Sequence, residues 1–280
     1  MSEENFEQVF QVSQPARLDV SNIRGSTTIH SGTDGVITVK AVKHENTGDS
    51  KNTEIEISQE GDGTVKVKTR FPEIHWGWLA GSQPCKVDYV ITAPQACTLK
   101  VNGVSNDTLV EGFDGDTSFN SVSGDMTLKT MNGNMKVNTV SGDLDLSSLT
   151  GELRINTVSG DIRGKSLIGP VHLDTVSGDI EFDEANLPSV QATTVSGDLL
   201  FKTALGEGPY KFNSVSGEVE LKIPAETHCS AELNTISGSL SVNLPATSIS
   251  RQRGRQAIEV QGGGVKVSLS SVSGDLALVS

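Results

Sequence analysis

The tetrapeptide Val-Ser-Gly-Asp starts at Val122, Val140, Val158 and Val176, each 18 residues after the last, and returns at Val195 and Val272. Looser copies begin at Val215 and Ile236. A fixed period marks a repeat architecture, and it restricts the folds open to a chain more than any single motif does. The underlying period is half of 18. Gly115, Gly124, Gly133, Gly142, Gly151, Gly160, Gly169 and Gly178 open successive units of nine residues. The template is glycine, acid, apolar, x, apolar, x, x, apolar, x. Units GNMKVNTVS, GDLDLSSLT and GELRINTVS place Met135, Val137 and Val140, then Leu144, Leu146 and Leu149, then Leu153, Ile155 and Val158 at positions three, five and eight. The register holds from Cys97 to Ser177 and then slips by one to a few residues per coil, as outward loops would cause.

Strand geometry turns this pattern into a fold. Positions three and five share a face because side chains alternate along a strand, and the two residues before position eight must turn a corner. The glycine supplies a backbone conformation that β-branched residues avoid, so Gly124, Gly142, Gly160, Gly178 and Gly197 are read as structural turns. Two units make one coil, coils stack at about 4.8 Å, and stacking buries a continuous core that no unit could bury alone. The expected fold class is all-β, a single-stranded β-helix or β-solenoid of nine-residue half-coils. Its interior is expected to be narrow and lined by Val, Leu and Ile at positions three, five and eight. Asn102, Asn120, Asn138, Asn156, Asn213 and Asn234 recur at one corner, where stacked amides bond coil to coil.

The segment before Cys97 is less regular. LDVSNIRGSTTIH, VITVKAV and TEIEISQEGDGTVKVKTR alternate like strands. Residues 1–96 are therefore read as a β-rich segment that caps or begins the solenoid. Residues 97–280 form the repeat solenoid, interrupted by a loop near 245–264.

Charge and cysteine usage exclude several functions. A net charge of -13 repels nucleic-acid phosphates and anionic lipid, so no nucleic-acid partner is expected. Cys85, Cys97 and Cys229 are odd in number and lack metal-ligand spacing, which fits neither a disulfide framework nor a zinc site. The start, MSEENFEQVFQVSQP, lacks an apolar signal region, and no apolar run reaches the length of a transmembrane segment. The chain as it stands reads as cytoplasmic, with envelope association left open.

Three candidate sites emerge. Asp125, Asp143, Asp161, Asp179 and Asp198 recur once per coil. Carboxylates at coil spacing repel by roughly 1 kcal/mol per pair even in water, which a divalent cation would relieve. Aspartate after glycine is also ordinary turn chemistry, and that reading is the more economical, so no metal is assigned. Trp76 and Trp78 in FPEIHWGWL fit a partner-binding cluster, or a plug for the end of the solenoid. Arg251, Arg253 and Arg255 form the densest basic run, fitting a loop that meets an acidic partner or a solvated loop without a role. Catalysis finds no support: the five histidines show no metal spacing, and no nucleophile elbow is present.

RLDVSNIRGSTTI, KVDYVITAPQACTLKVNGVSND and the serial TVSGD turns resemble the bacterial "putative-adhesin" family of uncharacterised domains. The resemblance implies a right-handed single-stranded β-helix and a context at the cell envelope or its stress responses, with no catalytic residues. The expected function is thus a non-enzymatic, adhesin-like interaction or scaffold protein without cofactors, whose partner is an unknown protein or envelope component. The alternatives are a carbohydrate-binding or carbohydrate-cleaving β-helix, and self-association through solenoid ends into filaments.

Overall fold

The structure is a computed structural model and describes residues 3–72 and 83–280. It is all-β apart from one short 3-10 turn, Glu45–Thr47, and it is the β-solenoid that the repeat predicts. It divides into two compact units, Met1–Gly142 and Asp143–Ser280.

In the N-terminal unit the long strand Ala16–Gly32 is a coil in its own right. It pairs in parallel with Cys97–Glu111 on one side. On the other side it meets Val65–Arg70 along its first half and Lys86–Pro94 along its second. Beyond that layer the pairing becomes antiparallel: Glu54–Gln59 on Val65–Arg70, Val36–His44 on Lys86–Pro94, and Glu3–Gln11 outermost on Val36–His44. Parallel stacking thus already includes Val65–Arg70, Lys86–Pro94 and Ala16–Gly32, ahead of Cys97, and the antiparallel strands beyond close that edge.

In the C-terminal unit equivalent half-coils of successive coils pair in parallel, Leu144 opposite Ile162, Ile180 opposite Leu199, Val171 opposite Val190. The order then departs from the sequence. The final coil, Val265–Ser273 and Leu276–Val279, lies between the coil at 210–222 and the coil at 229–243. The C-terminal strand is therefore paired on both sides. The stretch that interrupts the repeat is a hairpin, Ala246–Gln252 against Arg255–Val260, whose inner strand adds antiparallel to Cys229–Thr235. Gly254, at φ +71, forms its tight turn.

Positions three and five fill the core as expected, but position eight divides into two kinds. Met131, Leu149 and Leu167 are buried, whereas Val140, Val158 and Val176 are about half exposed. The backbone supplies the reason. Thr130, Ser148, Ser166 and Glu184, at position seven of alternate units, have φ between 51 and 55. A left-handed residue breaks the strand alternation and turns the next side chain inward. In the intervening units position seven stays out of the left-handed region and points inward, and position eight points outward. There the buried Thr139, Thr157, Thr175 and Thr194 donate their hydroxyls to the carbonyl two residues on, at 3.2–3.3 Å.

The interior is also wider than a purely aliphatic core requires. Tyr89 and Tyr210 are fully buried, as are Phe113 and Phe119. Phe182, Phe201 and Phe212 stack in succession, with centroids 4.9 and 5.0 Å apart. Burial pushes the Tyr89 hydroxyl up to about 12.

Candidate interaction surface

The corner with outward valines is the most regular surface of the molecule. In the N-terminal unit it presents Val104, Val122 and Val140. In the C-terminal unit it presents Val158, Val176, Val195, Val215 and Val272, the last preceding Ile236 in spatial order. The eight valines are 46–50% exposed, and Ile236 is 83% exposed. Main-chain bonds hold the column: the Ser177 N–H donates to the Val158 carbonyl and the Ser196 N–H to the Val176 carbonyl, each at 2.9 Å.

Two polar columns flank these valines. Each aspartate carboxylate accepts the backbone N–H of the acid one coil on. The pairs are Asp161 N–H to Asp143 at 2.9 Å, Asp179 to Asp161 at 3.1 Å, Asp198 to Asp179 at 2.9 Å, and Glu218 to Asp198 at 2.8 Å. In the N-terminal unit the Asp125 N–H donates to Asp107 at 3.1 Å. The acidic column thus bonds coil to coil. The same bond from the Ser239 N–H, with the Ser239 hydroxyl, holds the Asp275 carboxyl below the usual carboxylate range. No group of three or more metal-ligating side chains occurs among the described residues.

The turn that carries these columns demands glycine. Gly178 sits at φ +123, and a Cβ there would lie 2.1 Å from the Gly160 carbonyl oxygen. On the other flank Asn138 donates to Asn120 at 2.8 Å and Asn120 to Asn102 at 3.1 Å, a ladder within the N-terminal unit. In the C-terminal unit Asn234 turns instead to Glu232, at 3.0 Å.

The arginines stand on the hairpin. Arg251 lies on its outer strand, Arg253 in its turn and Arg255 on its inner strand, all exposed, with Arg255 paired to Glu232 at 2.9 Å. Trp76 and Trp78 lie outside the described residues. Their segment leaves the described chain at Pro72, on the rim of a cleft of about 630 Å³ lined also by Asn22, Thr69, Phe71 and Asn102.

A buried polar network, not legible in the repeat pattern, borders that cleft. Asn22 donates to Asn106 Oδ1 at 2.7 Å and to the Val87 carbonyl at 2.8 Å. Thr69 donates to Asn22 Oδ1 at 3.0 Å and bonds the Tyr89 hydroxyl at 2.8 Å. Asn22 lies in a stretch that reads as an alternating strand and Asn106 outside the repeating asparagine column, so only their pairing across coils reveals the network.

Comparisons with known proteins agree on the fold. The profile of the Toastrack DUF4097 family matches residues 16–279. No curated protein matches the chain. The solved "putative lipid binding protein" of Parabacteroides distasonis ATCC 8503 is 14% identical, with a TM-score of 0.60 over 99% of this chain and 97% of its own. A "putative adhesin" of Bacteroides fragilis NCTC 9343 is 13% identical, at TM-score 0.49 over 99% and 98%. Another from Parabacteroides distasonis ATCC 8503 is 10% identical, at TM-score 0.42 over 99% and 97%. With nearly its whole length matched and its coils stacked as the repeat requires, this chain belongs to the Toastrack DUF4097 family of β-solenoid proteins.

Proposed function

We propose that this chain is a non-enzymatic, adhesin-like interaction module whose binding face is the valine-bearing corner. One observation carries the reading: an exposed aliphatic side chain at the same position of nine coils, always Val or Ile. Threonine is as good a strand former and is better tolerated by water, yet it never stands there. Scattered exposed apolar residues need no explanation, but a row repeated coil after coil within each unit marks a contact surface. Bordered by hydroxyls and by carboxylates already engaged with backbone N–H groups, the row is an apolar ridge between polar margins. It suits an extended partner, a protein or a component of the cell envelope. The adhesin-like context and any link to envelope stress rest on this surface and on the family resemblance.

Catalysis fits less well. A column of identical groups offers no distinct acid and base. A serine–aspartate–histidine cluster, Ser26, Asp88 and His44, has the Ser26 hydroxyl donating to Asp88 at 2.8 Å, with His44 on the other Asp88 oxygen at 2.7 Å. The carboxylate therefore stands between the hydroxyl and the imidazole, the reverse of a triad in which the imidazole takes the proton. No helix among the described residues is long and apolar enough to cross a membrane.

The test is a pull-down from native lysate and solubilised membranes. The baits are the wild type and a Val158→Asn, Val176→Asn, Val195→Asn variant. Capture by the wild type that the folded variant loses is the expected result. Equal capture by both baits would remove the valine corner as the binding face.

A further inference from the structure

The coil from Cys229 to Asn243 ends the stack of the C-terminal unit, because the chain's final coil lies inside it. Its two halves are treated differently. Cys229–Thr235 is covered on its outer side by the antiparallel strand Arg255–Val260. Leu240–Asn243 pairs with Leu276–Val279 and with no other strand among the described residues. Leu240 and Val242 hold positions three and five of the repeat, where the neighbouring coils bury Leu276 and Leu278, and Val219 and Leu221, completely. Here both side chains remain half-buried, and Ile236 beside them is the most exposed large hydrophobic residue described.

Edge strands invite pairing, and proteins blunt them with charge, proline or bulges. The other edges of this molecule follow that rule. Glu3–Gln11 carries Glu3, Glu4 and Glu7, Glu54–Gln59 carries Glu54 and Glu56, and the outer hairpin strand carries Arg251. Leu240–Asn243 reads Leu-Ser-Val-Asn, with no charge and no proline.

We infer that this edge is the surface through which two copies of the chain associate, Leu240–Asn243 of one copy lying antiparallel to the same strand of the other. Three observations select a second copy as the occupant. The strand carries no charge, so pairing it with its own image sets no two like charges side by side. An isologous contact covers Leu240 and Val242 of both copies at once and closes, so it yields a dimer and no filament. Antiparallel addition to this coil is also a mode the chain already uses, in Arg255–Val260 on Cys229–Thr235. The contact is separate from the valine corner and stands or falls without it.

Sedimentation of the full chain across a concentration series tests the inference. The wild type is expected to show a monomer–dimer equilibrium. Val242→Lys is expected to weaken it at least tenfold while leaving the circular dichroism spectrum and melting temperature unchanged. A second measurement guards against a folding defect. Cys85, Cys97 and Cys229 are buried, so Ser241→Cys adds one accessible thiol. Antiparallel pairing of so short a strand brings the two thiols within about 10 Å, since each residue advances about 3.4 Å. A short bismaleimide should link Ser241→Cys dimers and should not link Ser216→Cys, on the side of the stack. A wild type that stays monomeric throughout, a Val242→Lys variant that dimerises like the wild type, or equal linking at both cysteine positions would each overturn the inference.

Discussion

Leu149 and Val158 occupy the same position of successive repeat units, and Leu149 is 2% exposed while Val158 is 48% exposed. The difference lies in the residue before each. Ser148 has a left-handed backbone that turns Leu149 into the core. Thr157, just past the strand Leu153–Asn156 and without a left-handed backbone, fills the core itself and leaves Val158 outward. Truncation should separate the two. Leu149→Ala is expected to cost about 2–5 kcal/mol, as core leucines do. Val158→Ala is expected to stay within about 0.5 kcal/mol, as for a surface site. Urea unfolding of both variants checks this, and equal losses would contradict the assignment of the two corners.

The two corners also show what the sequence conveyed. Glycine every nine residues and paired apolar residues at positions three and five were enough for the coil and the stacking. Position eight was misjudged because Leu149 and Val158 are both apolar, and hydrophobicity alone does not register a left-handed residue one step earlier. A signal was present: a buried Thr precedes Val140, Val158, Val176 and Val195, and its hydroxyl closes the turn. The insertion of the last coil between two earlier ones lay beyond the repeat itself. Segments 210–222, 229–243 and 265–279 follow nearly the same template, so the template does not fix their order. The Asn22–Asn106 network was hidden for a related reason: long-range pairing of polar residues leaves no periodic trace.

Gly178→Ala should be among the most damaging small substitutions. The added Cβ meets a backbone oxygen at 2.1 Å in a conformation that L side chains avoid. A loss of about 3 kcal/mol or more is expected, measured as a fall in the urea midpoint. A loss under about 1 kcal/mol, the ordinary range for glycine replaced in a strand, would contradict the close stacking of Gly178 on Gly160.

Asp161 accepts the Asp179 N–H at 3.1 Å, and Arg163 lies 3.2 Å from its other oxygen. Asp161→Ala should lose about 1 kcal/mol, the usual worth of such a bond. Asp161→Asn should lose less, because the amide oxygen still accepts while repulsion from Asp143 and Asp179 is removed. Added salt should widen the gap between wild type and the Asn variant, because screening that repulsion stabilises only the wild type. Thermal melts of the three proteins at low and high salt decide it, and an Asn variant weaker than the Ala variant would contradict the role given to the carboxylate.

Alkaline pH should destabilise the fold through two buried groups. Burial pushes the Cys97 thiol from 9.0 to about 12 and the Tyr89 hydroxyl from 10.0 to about 12. Both folded values lie above the unfolded ones, so the stabilisation is complete below about pH 9. It is lost as the unfolded chain sheds these protons and pH climbs toward 12, by roughly 3–4 kcal/mol apiece at most. Chemical unfolding between pH 8 and 12 should show this decline, flatter in Tyr89→Phe and in Cys97→Ala. Parallel slopes in wild type and variants would assign the alkaline loss to other groups.

The central claim is that the valine corner is where a partner lies, and protection of that corner tests it most directly. Val158→Cys, Val176→Cys and Val195→Cys, made singly, place one accessible thiol on the column, while the described native cysteines are buried. Maleimide labelling is measured for the protein alone and for the protein with the lysate or membrane fraction that the wild type captures. The account predicts rapid labelling alone and strong protection in the captured complex at all three positions, with Lys211→Cys, outside the column, labelled equally in both. Unchanged labelling on the column in the complex would contradict it.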